Sequence, residues 1–283
     1  MPFAIIGFFL GISHYHIAKN YLVFFHEEDV YIPYKSFSFI FLLVILCMIF
    51  ARSAAMAFNR WADYKFDAKN ERTKIREIPS GILAPKSVLL FIVLNCLLFI
   101  MSTYFINTIC FFLSPVALLV ILGYSYTKRF TPLCHLLLGL GLSLAPIGAY
   151  LSITGAFALT PLLFSIAVLC WVSGFDIIYA LQDEEFDRSQ NLKSIPVLLG
   201  KKNALHFSSI LHVLSAITII VAGYSEGFHF WYWLGTLLFI GLLIYQHSLV
   251  KPHNLDNVNM AFFTTNGIAS VTFSVFFLLE KFL

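Results

Sequence analysis

Residues 51–81 read ARSAAMAFNRWADYKFDAKNERTKIREIPSG: an apolar run that meets Asn59, Asp63 and Asp67 and then breaks into mixed Lys, Arg and Glu. A second stretch, DIIYALQDEEFDRSQNLKSIP at 176–196, sets Asp183 and Asp187 in the same relative places. Asp63 and Asp183 are 120 residues apart, as are Asp67 and Asp187, and each pair precedes an Ile-Pro (Ile78-Pro79, Ile195-Pro196). Four apolar spans lie between the two stretches. The echo therefore predicts two similar halves of parallel orientation around a central cavity.

Outside these stretches the chain is apolar. It is 59% hydrophobic and 12% charged, where a soluble domain carries about a quarter charged residues. A net charge of +3 gives no footprint for nucleic acid. Cys47, Cys96, Cys110, Cys134 and Cys170 stand singly in apolar runs, which excludes a zinc or disulfide framework. The opening MPFAIIGFFLG has no basic n-region and reads as a first span.

A bilayer core of about 30 Å takes roughly 20 apolar residues per helix. On that template the chain is an all-α polytopic membrane protein, one domain over 1–283, with nine spans near 2–24, 36–62, 87–106, 109–126, 132–153, 161–182, 204–223, 230–250 and 258–280. Fourteen of the 18 Lys and Arg fall in the even-numbered connections, which puts those loops and the N-terminus in the cytoplasm and the C-terminus outside. Both acidic stretches then face the cytoplasm. The reading predicts one site there, in the inner (cytoplasmic) membrane of the cell. Gly139, Gly141, Pro146 and Gly148 predict close helix packing along the fifth span.

If the second span continues as helix through 67, Asn59, Asp63 and Asp67 lie at i, i+4 and i+8 on one face. Asp176, Tyr179, Asp183 and Asp187 make a similar stripe on the sixth span. Carboxylates at i, i+4 repel each other, and a helix C-terminus makes the repulsion worse. A divalent cation removes both penalties, and flexible oxygen ligands suit Mg²⁺. Arg72, Lys74 and Arg76 follow the first cluster, and Lys128 and Arg129 end the fourth span. Metal ions with an Arg and Lys clamp make a diphosphate site. The guanidinium fork ranks Arg72 and Arg76 above Lys74. Arg52, two turns before Asn59, is a charge at membrane depth and hence a functional candidate, either paired with Asp176 or meeting an anionic substrate. Lys19 is a weaker case, explained equally by snorkelling. His14 and His16 read as polar packing between helices.

These residues resemble the UbiA family of intramembrane aromatic prenyltransferases. Asn59-Arg60-Trp61-Ala62-Asp63-Tyr64-Lys65-Phe66-Asp67 is similar to the family's first motif, N-D/R-x-x-D-x-x-x-D. Asp183-Glu184-Glu185-Phe186-Asp187 is similar to its second. The continuation AKNERTKIREIPSG resembles the 4-hydroxybenzoate polyprenyltransferase branch, where Arg at the second motif position is usual. The resemblance implies two Mg²⁺ on Asn59, Asp63, Asp67, Asp183 and Asp187. It implies a polyprenyl diphosphate held by Arg72, Arg76 and Lys128, and an aromatic acceptor whose carboxylate meets Arg52. The expected reaction is prenylation of the 4-hydroxybenzoate ring in ubiquinone biosynthesis. A dihydroxynaphthoate acid of the futalosine route to menaquinone is the alternative acceptor. A cation-coupled transporter is the alternative class, and it predicts mid-span carboxylates and inverted repeats.

Overall fold

Pro85 and Pro196 each sit in the first turn of a long helix, where a missing N–H costs nothing, and Ser36 and Asn107 cap others with their side-chain oxygens. The helices so delimited, in a computed structural model that describes residues 2–25 and 35–283 (without the side chains of 18–25), run in chain order. They are α1 (Pro2–Phe25), α2 (Phe37–Asp67), α3 (Pro85–Ile106), α4 (Thr108–Thr127), α5 (Cys134–Thr154), α6 (Leu159–Ala180), the short α7 (Glu184–Ser189), α8 (Ile195–Glu226), α9 (Phe230–Leu249) and α10 (Asn266–Phe282). Among the described residues eight helical segments are long and apolar enough to cross a bilayer, besides the apolar part of α1, Pro2–Ile17. The protein is an all-α integral membrane protein. Lys19 and the 26–34 connection lie outside the described side chains.

Three boundaries differ from the sequence reading. First, α2 runs to Asp67 instead of stopping near 62, so the first acidic cluster is still helix. Second, α6 ends at Ala180, and a 3₁₀ turn at Leu181–Asp183 carries the chain into α7. The second cluster is therefore not one continuous stripe. Third, α8 begins at Ile195, nine residues before the expected 204, and breaks at Gly200, whose φ of +74° suits glycine alone. Lys201 and Lys202 at that break lower the local hydropathy and hide the helix start.

α6 is the axis. α5 and α8 pack on it, α1 packs on α5, α9 pairs with α10, and α2 pairs with α3 and α4. One core joins Phe3, Phe164, Trp171, Phe239 and Phe273; another joins Ile40, Val44, Phe99 and Ile153. Outward-facing side chains are apolar too, with Phe112 at 71% and Leu119 at 73% exposure, as lipid contact requires. Because lipid is as apolar as leucine, close backbone approach has to hold the helices together. A Cβ on Gly139 would lie 2.3 Å from Ser173 Oγ and 2.5 Å from the Leu169 carbonyl, so α5 and α6 touch there. Pro146 is met by Gly7 of α1 in the same way, with a Cβ 2.0 Å from its carbonyl. Gly141 and Gly148 have no such close neighbour. Just before α10 the helix widens into a π turn, Met260–Thr265, which stacks Phe262 on Tyr179 at 4.2 Å between ring centroids.

Candidate active site

The ends of α2 and α6 meet at one face of the bundle. There Asn59, Asp63 and Asp67 share a cavity of about 230 Å³ with Asp183 and Asp187. The carboxylates stand at helix ends, not at mid-span as a transport path requires. The connection 68–84 folds back over them in successive turns. Asn70 Oδ1 accepts from the Arg72 N–H at 2.9 Å, and the buried Thr73 hydroxyl donates to the Asp67 carbonyl at 3.3 Å. On the other flank Lys193 N–H donates to the Lys128 carbonyl at 2.7 Å, which ties the segment after α7 to the end of α4.

Each of the four carboxylates is matched with one cation. Arg129 reaches Asp63 at 3.1 Å, Arg76 reaches Asp67 at 2.9 Å, Arg72 reaches Asp183 at 2.5 Å and Lys128 reaches Asp187 at 2.7 Å. Arg76 Nη1 bridges both oxygens of Asp67. Arg72 is held three ways: by Asp183, by the Tyr179 hydroxyl at 2.8 Å, and over the Tyr179 ring. Burial pulls the Arg72 guanidinium down, but Asp183 outweighs it and the net direction is up. Lys128 behaves likewise: burial lowers its ammonium, Asp187 raises it, and the carboxylate wins.

Asp187 is 1% exposed; Lys128 Nζ stands 2.7 Å from its Oδ1, and among the described residues neither carboxylate oxygen is satisfied by a well-directed hydrogen bond. A buried carboxylate with unsatisfied lone pairs lacks a ligand. Asn59 donates Nδ2 to Ser125 Oγ at 3.5 Å, which leaves its amide oxygen for another partner. The donor set is all oxygen and fits a hard divalent cation. Among the described residues no three His, Cys, Asp or Glu side chains converge as a ready metal cage, because each carboxylate is turned toward its own cation.

Arg52 does not line this cavity. It is exposed on α2, two turns deeper than Asn59 and on nearly the same face, and no described acidic residue pairs with it. Asp176, the suggested partner, bonds His135 Nδ1 at 2.7 Å instead. Lys74 pairs with Glu71 at the surface, Glu184 bonds Arg188 at 2.8 Å, and His14 bonds Tyr150 and Glu226, each at 2.9 Å. The structure adds two residues to the site that the sequence does not single out for it: His135, and Arg129 beside the diphosphate set. The one signal for Arg129 was its adjacency to Lys128. Nothing local marked His135, which opens an ordinary apolar helix.

Residues 30–268 match the model of the UbiA prenyltransferase family. The chain belongs to that family. It is a membrane-embedded prenyltransferase. Among curated relatives it is 31% identical to a 4-hydroxybenzoate octaprenyltransferase of Tolumonas auensis, over 84% of this chain and 83% of that one. The corresponding protein of Aeromonas salmonicida is 30% identical over 82% and 80%. Among solved structures, a UbiA homolog from Aeropyrum pernix K1 in its apo state superposes with a TM-score of 0.83 at 26% identity, covering 99% of this chain and 97% of that one. A UbiA homolog from Archaeoglobus fulgidus bound to GPP and Mg²⁺ superposes at 0.69 with 21% identity, over 100% and 97%, and shares the fold.

Proposed function

We propose that this UbiA-family enzyme transfers a polyprenyl group from polyprenyl diphosphate to a ring carbon of 4-hydroxybenzoate, in the route to ubiquinone. The observation that carries the reading is the convergence of two D-x-x-x-D pairs, remote in sequence, on one cavity where each of those four carboxylates has a Lys or Arg partner. The relatives named as 4-hydroxybenzoate octaprenyltransferases support the acceptor. The oxygen donors and the unsatisfied Asp187 support Mg²⁺.

Asp63, Asp67, Asp183 and Asp187, with Asn59, would hold the metal. Bound there, Mg²⁺ supplies Lewis-acid stabilisation of the departing diphosphate. With those carboxylates holding a metal, Arg72, Arg76, Lys128 and Arg129 would be free to clamp phosphate oxygens, Arg72 and Arg76 as forks. The allylic carbon, freed from its oxygen, is attacked by the ring carbon ortho to the hydroxyl. Apolar helix walls keep water from it. Among the described residues Arg52 has no acidic partner at membrane depth, which favours its pairing with the acceptor's carboxylate. The basic connections next to the site favour a cytoplasmic face in the inner membrane, with the N-terminus on that side.

The test is a membrane assay with geranyl diphosphate and 4-hydroxybenzoate, with and without Mg²⁺. Metal-dependent formation of prenylated 4-hydroxybenzoate is expected, and loss of turnover after EDTA that Mg²⁺ restores. Turnover only with a dihydroxynaphthoate acid would move the enzyme to the menaquinone route. No prenylated product with any hydroxyaryl acid would refute the reading.

A further inference from the structure

The four metal-type carboxylates face permanently charged Lys or Arg, but a fifth acid in the cavity does not. Asp176 of α6 lines the same space, with 21% of its side chain exposed, and its partner is His135 of α5. His135 is buried at 3% exposure, and its Nε2 has no hydrogen-bond partner. Its Nδ1 stands 2.7 Å from Asp176 Oδ2. The pair is built in: Ser173 Oγ donates to the His135 carbonyl at 3.1 Å, where the Gly139 contact brings α5 and α6 together. Asp176 lies seven residues before Asp183, and Arg52 seven before Asn59. On both helices that is about 10 Å deeper than the diphosphate end. Arg52 and Asp176 thus bracket the level at which an acceptor ring would lie.

The chemistry calls for one more group there. When the ring carbon bonds the allylic carbon, the carbon–oxygen bond to diphosphate breaks and its electron pair leaves with the diphosphate. The attacked ring carbon still carries its hydrogen. That C–H bond must break too, its electron pair returning to the ring and its proton passing to a base. Asp63, Asp67, Asp183 and Asp187 are committed to cations. Asp176 has an oxygen, Oδ1, with no hydrogen-bond partner among the described residues. We propose that Asp176 accepts the proton lost by the acceptor ring, and that His135 is the positioning residue that fixes its carboxylate through Nδ1. The inference rests on the aromatic-acceptor reading above.

The experiment compares native protein with D176N, H135A and H135N, using 4-hydroxybenzoate with protium or deuterium at the two positions ortho to the hydroxyl. D176N is expected to lose at least ~100-fold in kcat, the usual reach of a positioned base. Mg²⁺-dependent geranyl diphosphate binding, followed by calorimetry, should stay within about twofold of native, as expected for a group used only after donor binding. A primary isotope effect on kcat, weak in native enzyme, should emerge in D176N and H135A as proton loss becomes limiting. H135N, whose amide can donate from near the Nδ1 position, should recover part of the H135A loss. Native-like kcat in D176N overturns the proposal, as does loss without an isotope effect. Loss of diphosphate binding in D176N also overturns it, by moving Asp176 to the diphosphate end or to structure. If native enzyme prenylates no hydroxyaryl acid, the functional reading fails and takes this inference with it.

Discussion

Removing Lys128 should expose what Asp187 lacks. In K128M the carboxylate, 1% exposed, loses the one cation that pairs with it among the described residues, at 2.7 Å. Breaking a buried pair from one side costs about 3–5 kcal/mol. Lys128 keeps 30% of its side chain exposed, so water reaches part of the gap and the low end applies, about 3 kcal/mol. At about 2–4 °C per kcal/mol, the metal-free variant should melt about 6–12 °C below native. The assay is thermal unfolding in detergent, after EDTA and again in saturating Mg²⁺. A cation bound at Asp187 replaces the missing charge, so Mg²⁺ should raise the melting point of K128M more than that of native protein. The double variant K128M/D187N, which removes both charges, should recover most of the loss without metal. The raised Lys128 ammonium contributes stability below its unfolded-state value and loses it only as pH climbs through the folded one. The gap between native and K128M should therefore hold steady between pH 7 and 9 and close only above lysine's ordinary 10.5. A metal-free K128M that melts with native protein, or one that Mg²⁺ fails to rescue preferentially, would refute the reasoning.

Three further outcomes follow from the same geometry. R72K keeps the charge but loses the fork on Asp183 and the contact with Tyr179. Its KM for geranyl diphosphate should rise about 10- to 100-fold while the KM for 4-hydroxybenzoate stays put. R52M should do the reverse, raising the KM for 4-hydroxybenzoate about 100-fold and leaving donor binding alone, as measured by initial-rate kinetics. G139A forces a methyl to 2.5 Å from the Leu169 carbonyl, so α5 and α6 must part; a loss of about 1–3 kcal/mol should register as a lower melting temperature in detergent.

Much of the architecture was legible because lipid imposes a simple rule: long apolar runs become helices. The carboxylate spacings carried further, since i, i+4 repulsion at a helix end asks for a counter-ion whatever the fold. What stayed hidden came from packing between remote segments. Asp176 had a plausible partner in Arg52 by depth along the helices. The structure gives it His135, because Gly139 lets α5 approach α6 more closely than spacing within either helix can tell. Lys128 and Arg129 are adjacent in sequence yet serve opposite clusters, Asp187 and Asp63, since they stand at the end of α4 between the two and neighbouring side chains there point apart. The 3₁₀ turn before Asp183 was invisible for a similar reason. LQDEEFD has no proline or glycine to announce a change of winding.

The π turn at Met260–Thr265 has its own consequence for how this chain tolerates insertion and deletion. Such a turn is one residue longer than the α turn it replaces, so it works as a register shift between the segment before it and α10. Within its first half Phe262 stacks on Tyr179, which holds Arg72; just past it Asn266 accepts from Trp171 Nε1 at 3.2 Å. Losing one residue from 260–265 would leave two well-formed helices that no longer agree on phase. If α10 stayed seated, the aromatic support of Arg72 would swing aside by roughly 100°. If Phe262 stayed, Phe273 and Phe277 would rotate out of the core. A single-residue deletion in a stretch with no catalytic side chain should thus be felt at the diphosphate end of the enzyme, through the path from Phe262 to Tyr179 to Arg72.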